Sequence, residues 1–247
     1  MHTASTIPEI KADLADDKDG TLERLKESIK AFQCRYHEAD SDTVMFDKSR
    51  GWVFHSLAHR SIWPKAKMIV TIRDLRNVYA SVEKQHRKNA FLDDATTPYQ
   101  KTLEGRAAAL FARQGMIGNP LVGIQDIINR KLDKGYAFIW KYEDFIEDPS
   151  GEMERLYTFL GEEPFEHEFS GIANTAKDPD WMYMYKFPHD GSGKVEKTPD
   201  NAWQRQFNGN FASQIVNGYM WFFERFGYIK AAPRAREAPQ PAQRVIA

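Results

Sequence analysis

Residues 66–89 read AKMIVTIRDLRNVYASVEKQHRKN. The apolar run Met68-Ile69-Val70-Thr71-Ile72 is β-branched and too short for a helix, so a buried strand is expected. At Arg73-Asp74 the pattern changes. Beyond them Leu75, Val78 and Val82 share one helical face, and charge fills the other. Arg73 therefore stands where a strand ends and a helix begins, the usual place for a ligand in an open parallel sheet. Asp74 is an N-cap candidate, with unsatisfied backbone N–H groups behind it. Ser81 lies about two helical turns beyond Arg73. A guanidinium at a strand end and a hydroxyl on the adjoining helix make an anion clamp suited to phosphate. The competing reading is a plain strand–helix joint with Arg73-Asp74 as a surface ion pair.

Two more strand candidates end in polar clusters. Residues 43–46, TVMF, run into Asp47-Lys48-Ser49-Arg50-Gly51-Trp52, and a helix is expected over 52–63, closed by Pro64. Residues 136–141, YAFIWK, lead to Tyr142-Glu143-Asp144-Phe145. Asp148-Pro149 then opens a helix over 150–160, which Gly161 closes. Late in the chain, Gly191-Ser192-Gly193-Lys194-Val195-Glu196-Lys197 forms a glycine-bearing basic loop able to wrap phosphate; a solvated loop is the alternative.

These segments together resemble the sulfotransferases. Arg73-Asp74-Leu75-Arg76-Asn77-Val78 with Ser81 looks like the R-D-x-R-x-V-x-x-S segment that grips the 3′-phosphate of 3′-phosphoadenosine 5′-phosphosulfate. Asp47-Lys48-Ser49-Arg50-Gly51-Trp52 resembles the D-K-[ST]-R-G-W segment of bacterial members and the N-K-D-P segment of tyrosylprotein sulfotransferases. By that likeness Lys48 is the catalytic candidate, its ammonium stabilising charge that builds on the bridging oxygen. YEDFIEDPSGEMERLYTFLG, residues 142–161, is similar to the long Y-E-D-L block, which puts Tyr142 beside the adenine; a core tyrosine at a strand end is the plain alternative. Ser192 and Lys194 inherit the loop that closes over the donor.

The resemblance implies an α/β fold: a P-loop-nucleotide-transferase-like parallel sheet flanked by helices. The family's first strand and its P-R-S-G-[ST]-T loop, which cradles the 5′-phosphosulfate, find no match here. The resemblance spans about 44–228 without that half of the site. A truncated product, a second chain or homo-oligomer supplying the loop, and a degenerate relative compete as explanations. The expected function is sulfuryl transfer from 3′-phosphoadenosine 5′-phosphosulfate to a hydroxyl or amine of a small molecule, saccharide or peptide. The alternative is a non-catalytic module that binds the 3′-phosphoadenosine nucleotide.

Composition sets the outer bounds. The chain has 247 residues, 42% hydrophobic and 13% aromatic, which suits a globular protein. Its net charge of −1 gives no global basic excess to attract nucleic acid or an anionic membrane. One cysteine, Cys34, excludes an intrachain disulfide and fits a reducing compartment. Residues 1–20 carry acids and no apolar core, unlike a signal peptide, and no apolar run approaches a membrane span, so a cytoplasmic location is expected. His55 and His59 share a helix face, but no third ligand matches, so no metal is expected.

The domain reading is a polar segment over 1–20 with a short helix near Pro8, one α/β domain over 21–230, and a disordered tail over 231–247. Helices are expected over 21–38, with Leu22, Leu25, Ile29, Phe32 and Tyr36 as an apolar stripe. Others are expected over 99–114, 121–134 and 207–226. The aromatic cluster 181–185, WMYMY, suits core packing or an acceptor pocket.

Overall fold

A computed structural model describes residues 8–40, 44–49, 51–88, 98–173, 193–197 and 199–230. The tail over 231–247, Ser192 and the 181–185 cluster lie outside the described residues. In chain order the elements are α1 (Pro8–Asp16), α2 (Lys18–Tyr36), α3 (Ser56–Ile62), β1 (Met68–Ile72), α4 (Leu75–Lys88), α5 (Leu103–Phe111), α6 (Gly118–Asn129), β2 (Ala137–Lys141), α7 (Tyr142–Glu147), α8 (Pro149–Leu160), α9 (Gly209–Gly218) and α10 (Met220–Arg225). The described residues divide into two units: one holds those up to 72, 98–173 and 193–196, the other those of 73–88 and 197–230.

The first unit centres on a two-stranded parallel sheet among the described residues, with register running from Met68↔Ala137 to Ile72↔Lys141. β1 buries Met68, Val70 and Ile72 and exposes Thr71. One face is thus covered, while on the other Ile69 is half-buried and Thr71 exposed, so the strand is less fully buried than expected. Residues 44–46 do not form the expected strand: Val44 is 57% and Phe46 68% exposed. A strand exists only through its ladder, and this segment finds no ladder partner among the described residues. α2 forms at its expected place, capped by Asp17, whose Oδ1 accepts from Gly20 N at 3.0 Å. Its apolar stripe, however, is poorly covered, with Phe32 68% and Tyr36 72% exposed.

α6 packs closely on the 3₁₀ turn Trp52–His55. A Cβ on Gly123 would fall 2.7 Å from the Val53 carbonyl, so only glycine permits that approach. The expected helix over 52–63 is split into this turn and α3. Helix 121–134 ends early, at Asn129, and Gly135 belongs to the turn before β2, where its φ of 92° requires glycine. α8 meets its sequence signals. Asp148 caps it through Gly151 N at 3.0 Å, Pro149 begins it, and Gly161 ends it at φ 75°.

The second unit packs aromatics around α4. Tyr79 is fully buried and lies against Phe207 and Phe211, with ring centroids 5.7 Å away in each case. Asn208 caps α9 through Phe211 N at 2.9 Å. The expected single helix over 207–226 breaks at Tyr219 (φ −130°), giving α9 and α10, and α10 buries Phe222 and Phe223. Among the described residues, no helix is long and apolar enough to cross a membrane.

Candidate functional site

The chain leaves β1 through Arg73 and Asp74 and immediately becomes α4. Asp74 is the N-cap. Its backbone carbonyl accepts from Val78 N at 2.9 Å and its Oδ1 from Arg76 N at 2.8 Å. The same carboxylate takes a two-pronged grip on the Arg76 guanidinium, with Nε–Oδ1 at 3.0 Å and Nη2–Oδ2 at 2.5 Å. Asp74 is only 4% exposed, so its carboxylate lies below the surface. The aromatic rings of Trp203 and Phe223 lie 5.4 and 5.3 Å from the Arg76 guanidinium, a cation–π setting on both.

The motif therefore has internal parts that the sequence did not separate from external ones. Arg76 and Asp74 hold the joint in shape. Asn77, buried beside them, accepts from Trp203 N at 3.1 Å and donates to the Asp200 carbonyl at 3.0 Å. That pins the stretch that follows the late basic loop. A polar residue inside an otherwise amphipathic helix start was the available signal for this role. The buried face of α4 runs through Leu75, Tyr79 and Glu83, with the Tyr79 hydroxyl donating to Glu83 Oε1 at 2.9 Å. Val78 and Val82, expected on that face, are half-buried.

Arg73 is half-buried and Ser81 is exposed on α4. Seven residues of helical rise separate Ser81 from the cap, about 10 Å. A clamp made by these two groups must therefore span the first two turns of the helix.

The remaining candidates belong to the first unit. Lys48 is exposed in the irregular stretch 44–49. Its neighbour Asp47 accepts from the Trp52 indole at 2.7 Å, so it organises the turn through Trp52 and caps no helix. Tyr142 is half-buried at the start of α7, directly after β2. Lys194 is 65% exposed and pairs with Glu196 at 2.9 Å. Its loop is tied down at Gly193, which exchanges backbone bonds with Ile172 at 2.7 and 2.8 Å.

His59 sits in an aromatic nest. Trp52 and Trp63 rings lie 5.1 and 5.2 Å from it. Its Nδ1 is 2.7 Å from the Tyr136 hydroxyl, which donates to the Ser56 carbonyl at 3.2 Å. A carbonyl only accepts, so the phenol proton goes to Ser56 and His59 donates through Nδ1–H. Burial holds His59 below the usual histidine range, against the opposing pull of Asp47. Burial also pushes Tyr136 up to about 12, against the opposing pull of Arg60. Among the described residues, no group of three or more His, Cys, Asp or Glu could hold a metal ion.

A family model described as "Sulfotransferase domain" matches residues 19–220. No curated protein matches the chain. No solved structure matches it either. The matched span covers most of the chain and contains the strand–helix joint, the Lys48 turn, the Tyr142 segment and the Lys194 loop. The chain belongs to the sulfotransferase family.

Proposed function

We propose that this protein binds 3′-phosphoadenosine 5′-phosphosulfate and transfers its sulfuryl group to a hydroxyl or amine on a small molecule, saccharide or peptide. The observation that carries the reading is the position of Arg73: at the C-terminal end of a parallel strand, where a helix capped by its own Asp74 begins. An anion there meets the Arg73 guanidinium. Arg73 and Ser81 take the 3′-phosphate. Tyr142, leaving the end of β2, offers a ring for the adenine.

The reaction forms a bond from the acceptor oxygen or nitrogen to sulfur and breaks the bond from sulfur to the phosphate oxygen. The products are the sulfated acceptor, adenosine 3′,5′-bisphosphate and a proton. Negative charge gathers on the departing oxygen, and the Lys48 ammonium is the group assigned to meet it. Ser192 and Lys194 close over the donor, and Lys194 exchanges Glu196 for phosphate as they do so. No metal has a role in this scheme.

We read the fold as P-loop-nucleotide-transferase-like, lacking the first strand and its phosphate loop. The uncovered stretch at 44–46, strand-like in composition but unpaired with any described strand, supports that reading. A second chain, another copy of this one, and a longer product of which this sequence is a truncated form are the proposed sources of the loop. The exposure of Lys48 in an irregular segment favours the second reading, a module that binds the nucleotide without turnover.

Calorimetry with adenosine 3′,5′-bisphosphate beside a radiolabelled sulfate-transfer assay separates the two. Binding with transfer establishes the enzyme. Binding without transfer, over a panel of phenol, saccharide and peptide acceptors, establishes the module. Absence of binding removes both.

A further inference from the structure

The opposite end of the β1–β2 sheet carries a second concentration of charge, independent of the donor reading. Both strands begin there. The turn at 63–66, closed by Ala66 N to the Trp63 carbonyl at 3.1 Å, delivers β1. The turn at 130–136, with Gly135 at φ 92°, delivers β2. The register Met68↔Ala137, and Met68 N bonded to the Tyr136 carbonyl at 2.9 Å, hold the two turns side by side. Between them and α3 lies a cavity of about 310 Å³, lined by Arg60, Lys65, Lys67, Lys134, Tyr136 and the adjoining Pro64, Ala66 and Gly135.

Four basic side chains line this cavity and no acidic one does, in a chain whose net charge is −1. The concentration is therefore local. Clefts lined by one sign of charge focus the field and gather counter-ions. Of the four, Lys67 also braces the fold. It donates through Nζ to the carbonyls of Phe159 and, at 3.0 Å, Leu160, at the C-terminal end of α8. The Arg60 guanidinium carbon lies 5.8 Å from the Tyr136 ring centroid, beside the cavity. Arg60, Lys65 and Lys134 are exposed, so their donors reach solvent.

We infer that this cavity is an anion site for a small ligand bearing two or more sulfate or phosphate groups. Arg60 supplies a planar fork that grips one oxyanion in two places. Lys65 and Lys134 supply point charges, one from each turn, for the other. Ligands with a single negative charge leave part of the cationic wall unmatched and bind more weakly. The site lies at the strand ends opposite those through which the chain continues into Arg73 and Tyr142.

Titration calorimetry of the full chain at low salt tests this with two probes, inorganic pyrophosphate and a disulfated disaccharide, and acetate as the monovalent control. Saturable binding of either divalent probe is expected, weakening as salt is added. Tighter pyrophosphate points to phosphate as the natural group, and tighter disaccharide to sulfate. Arg60→Gln and Lys134→Gln should each weaken binding about tenfold, the loss of one charge-assisted contact. Lys18→Gln, on the exposed start of α2, should leave it unchanged. The proposal is overturned if neither probe saturates, or if Lys18→Gln weakens binding as much as the cavity variants do. It is equally overturned if Arg73→Ala alone removes binding, which would move the anion to the other end of the sheet.

Discussion

Replacing Asp74 with alanine removes two structural functions at once, and their sizes can be worked separately. The carboxylate caps α4 by accepting from Arg76 N at 2.8 Å. Loss of such a cap costs about 1 kcal/mol. The carboxylate also neutralises Arg76, whose side chain is 20% exposed beside a carboxylate only 6% exposed. Breaking a buried pair costs roughly 3–5 kcal/mol. Residual solvent around Arg76 and its two aromatic neighbours reduces that to about 2 kcal/mol. The sum, about 3 kcal/mol, corresponds to a drop in Tm of roughly 6–12 °C for a chain of this size.

Asp74→Asn keeps the cap acceptor and loses only the charge, so about 2 kcal/mol is expected. The internal control is Asp126, whose pair with Arg130 at 2.7 Å is 44% and 49% exposed. Removing it should cost less than about 0.5 kcal/mol. Differential scanning calorimetry of the three variants gives the ranking. If Asp74→Ala is no more harmful than Asp126→Ala, the joint is not held by this carboxylate and the reasoning is wrong.

Other consequences concern pH, backbone and chemistry. Because burial depresses His59, the unfolded chain takes up a proton that the folded one resists, so stability should fall as pH drops below about 6.5. His59→Gln should flatten that arm of the Tm–pH curve, and an unchanged slope would count against the buried neutral ring. Tyr136 has the opposite sign: its raised value keeps the folded phenol protonated, so stability should fall as pH climbs from about 10 to 12, and Tyr136→Phe should make that fall shallower, Tyr219, also raised by burial, supplying the rest. Gly161→Ala should lower stability by roughly 1–2 kcal/mol in urea titration, because the φ of 75° is hostile to a Cβ while the nearest atom, Lys67 Nζ, is 3.8 Å away. Lys48→Met should reduce sulfate transfer by about 10²–10³ while leaving affinity for adenosine 3′,5′-bisphosphate within twofold. A parallel loss of affinity would make Lys48 a binding residue.

Much of this architecture can be read from residues alone where local rules decide. β1 and β2 announce themselves as short β-branched or aromatic runs, and α8 carries Asp148, Pro149 and Gly161 at the positions that start and stop a helix. What escaped depends on partners distant in sequence. The period of α4 pointed to Val78 and Val82, whereas the buried face includes Asn77 and Glu83, which bury comfortably because Trp203, Asp200 and Tyr79 supply their hydrogen bonds. The stripe on α2 correctly signalled a helix but not its burial, since periodicity records which side is apolar and not what covers it. Residues 44–46 have strand-forming chemistry, yet ladder pairing is a two-body property that a single segment cannot reveal.

The same division applies to the site. Arg73, Asp74 and Ser81 were visible as a motif, and Asp74 caps its helix as expected. The roles of Arg76 and Asn77 as internal braces depended on Trp203, Phe223 and Asp200, more than a hundred positions away.

The central claim is tested most directly by the affinity of the full chain for adenosine 3′,5′-bisphosphate before and after Arg73→Ala, read by titration calorimetry alongside Tm. The account predicts saturable binding that weakens at least tenfold, about 1.4 kcal/mol, in a variant that still melts as a folded protein. Equal affinity in the two proteins would contradict it.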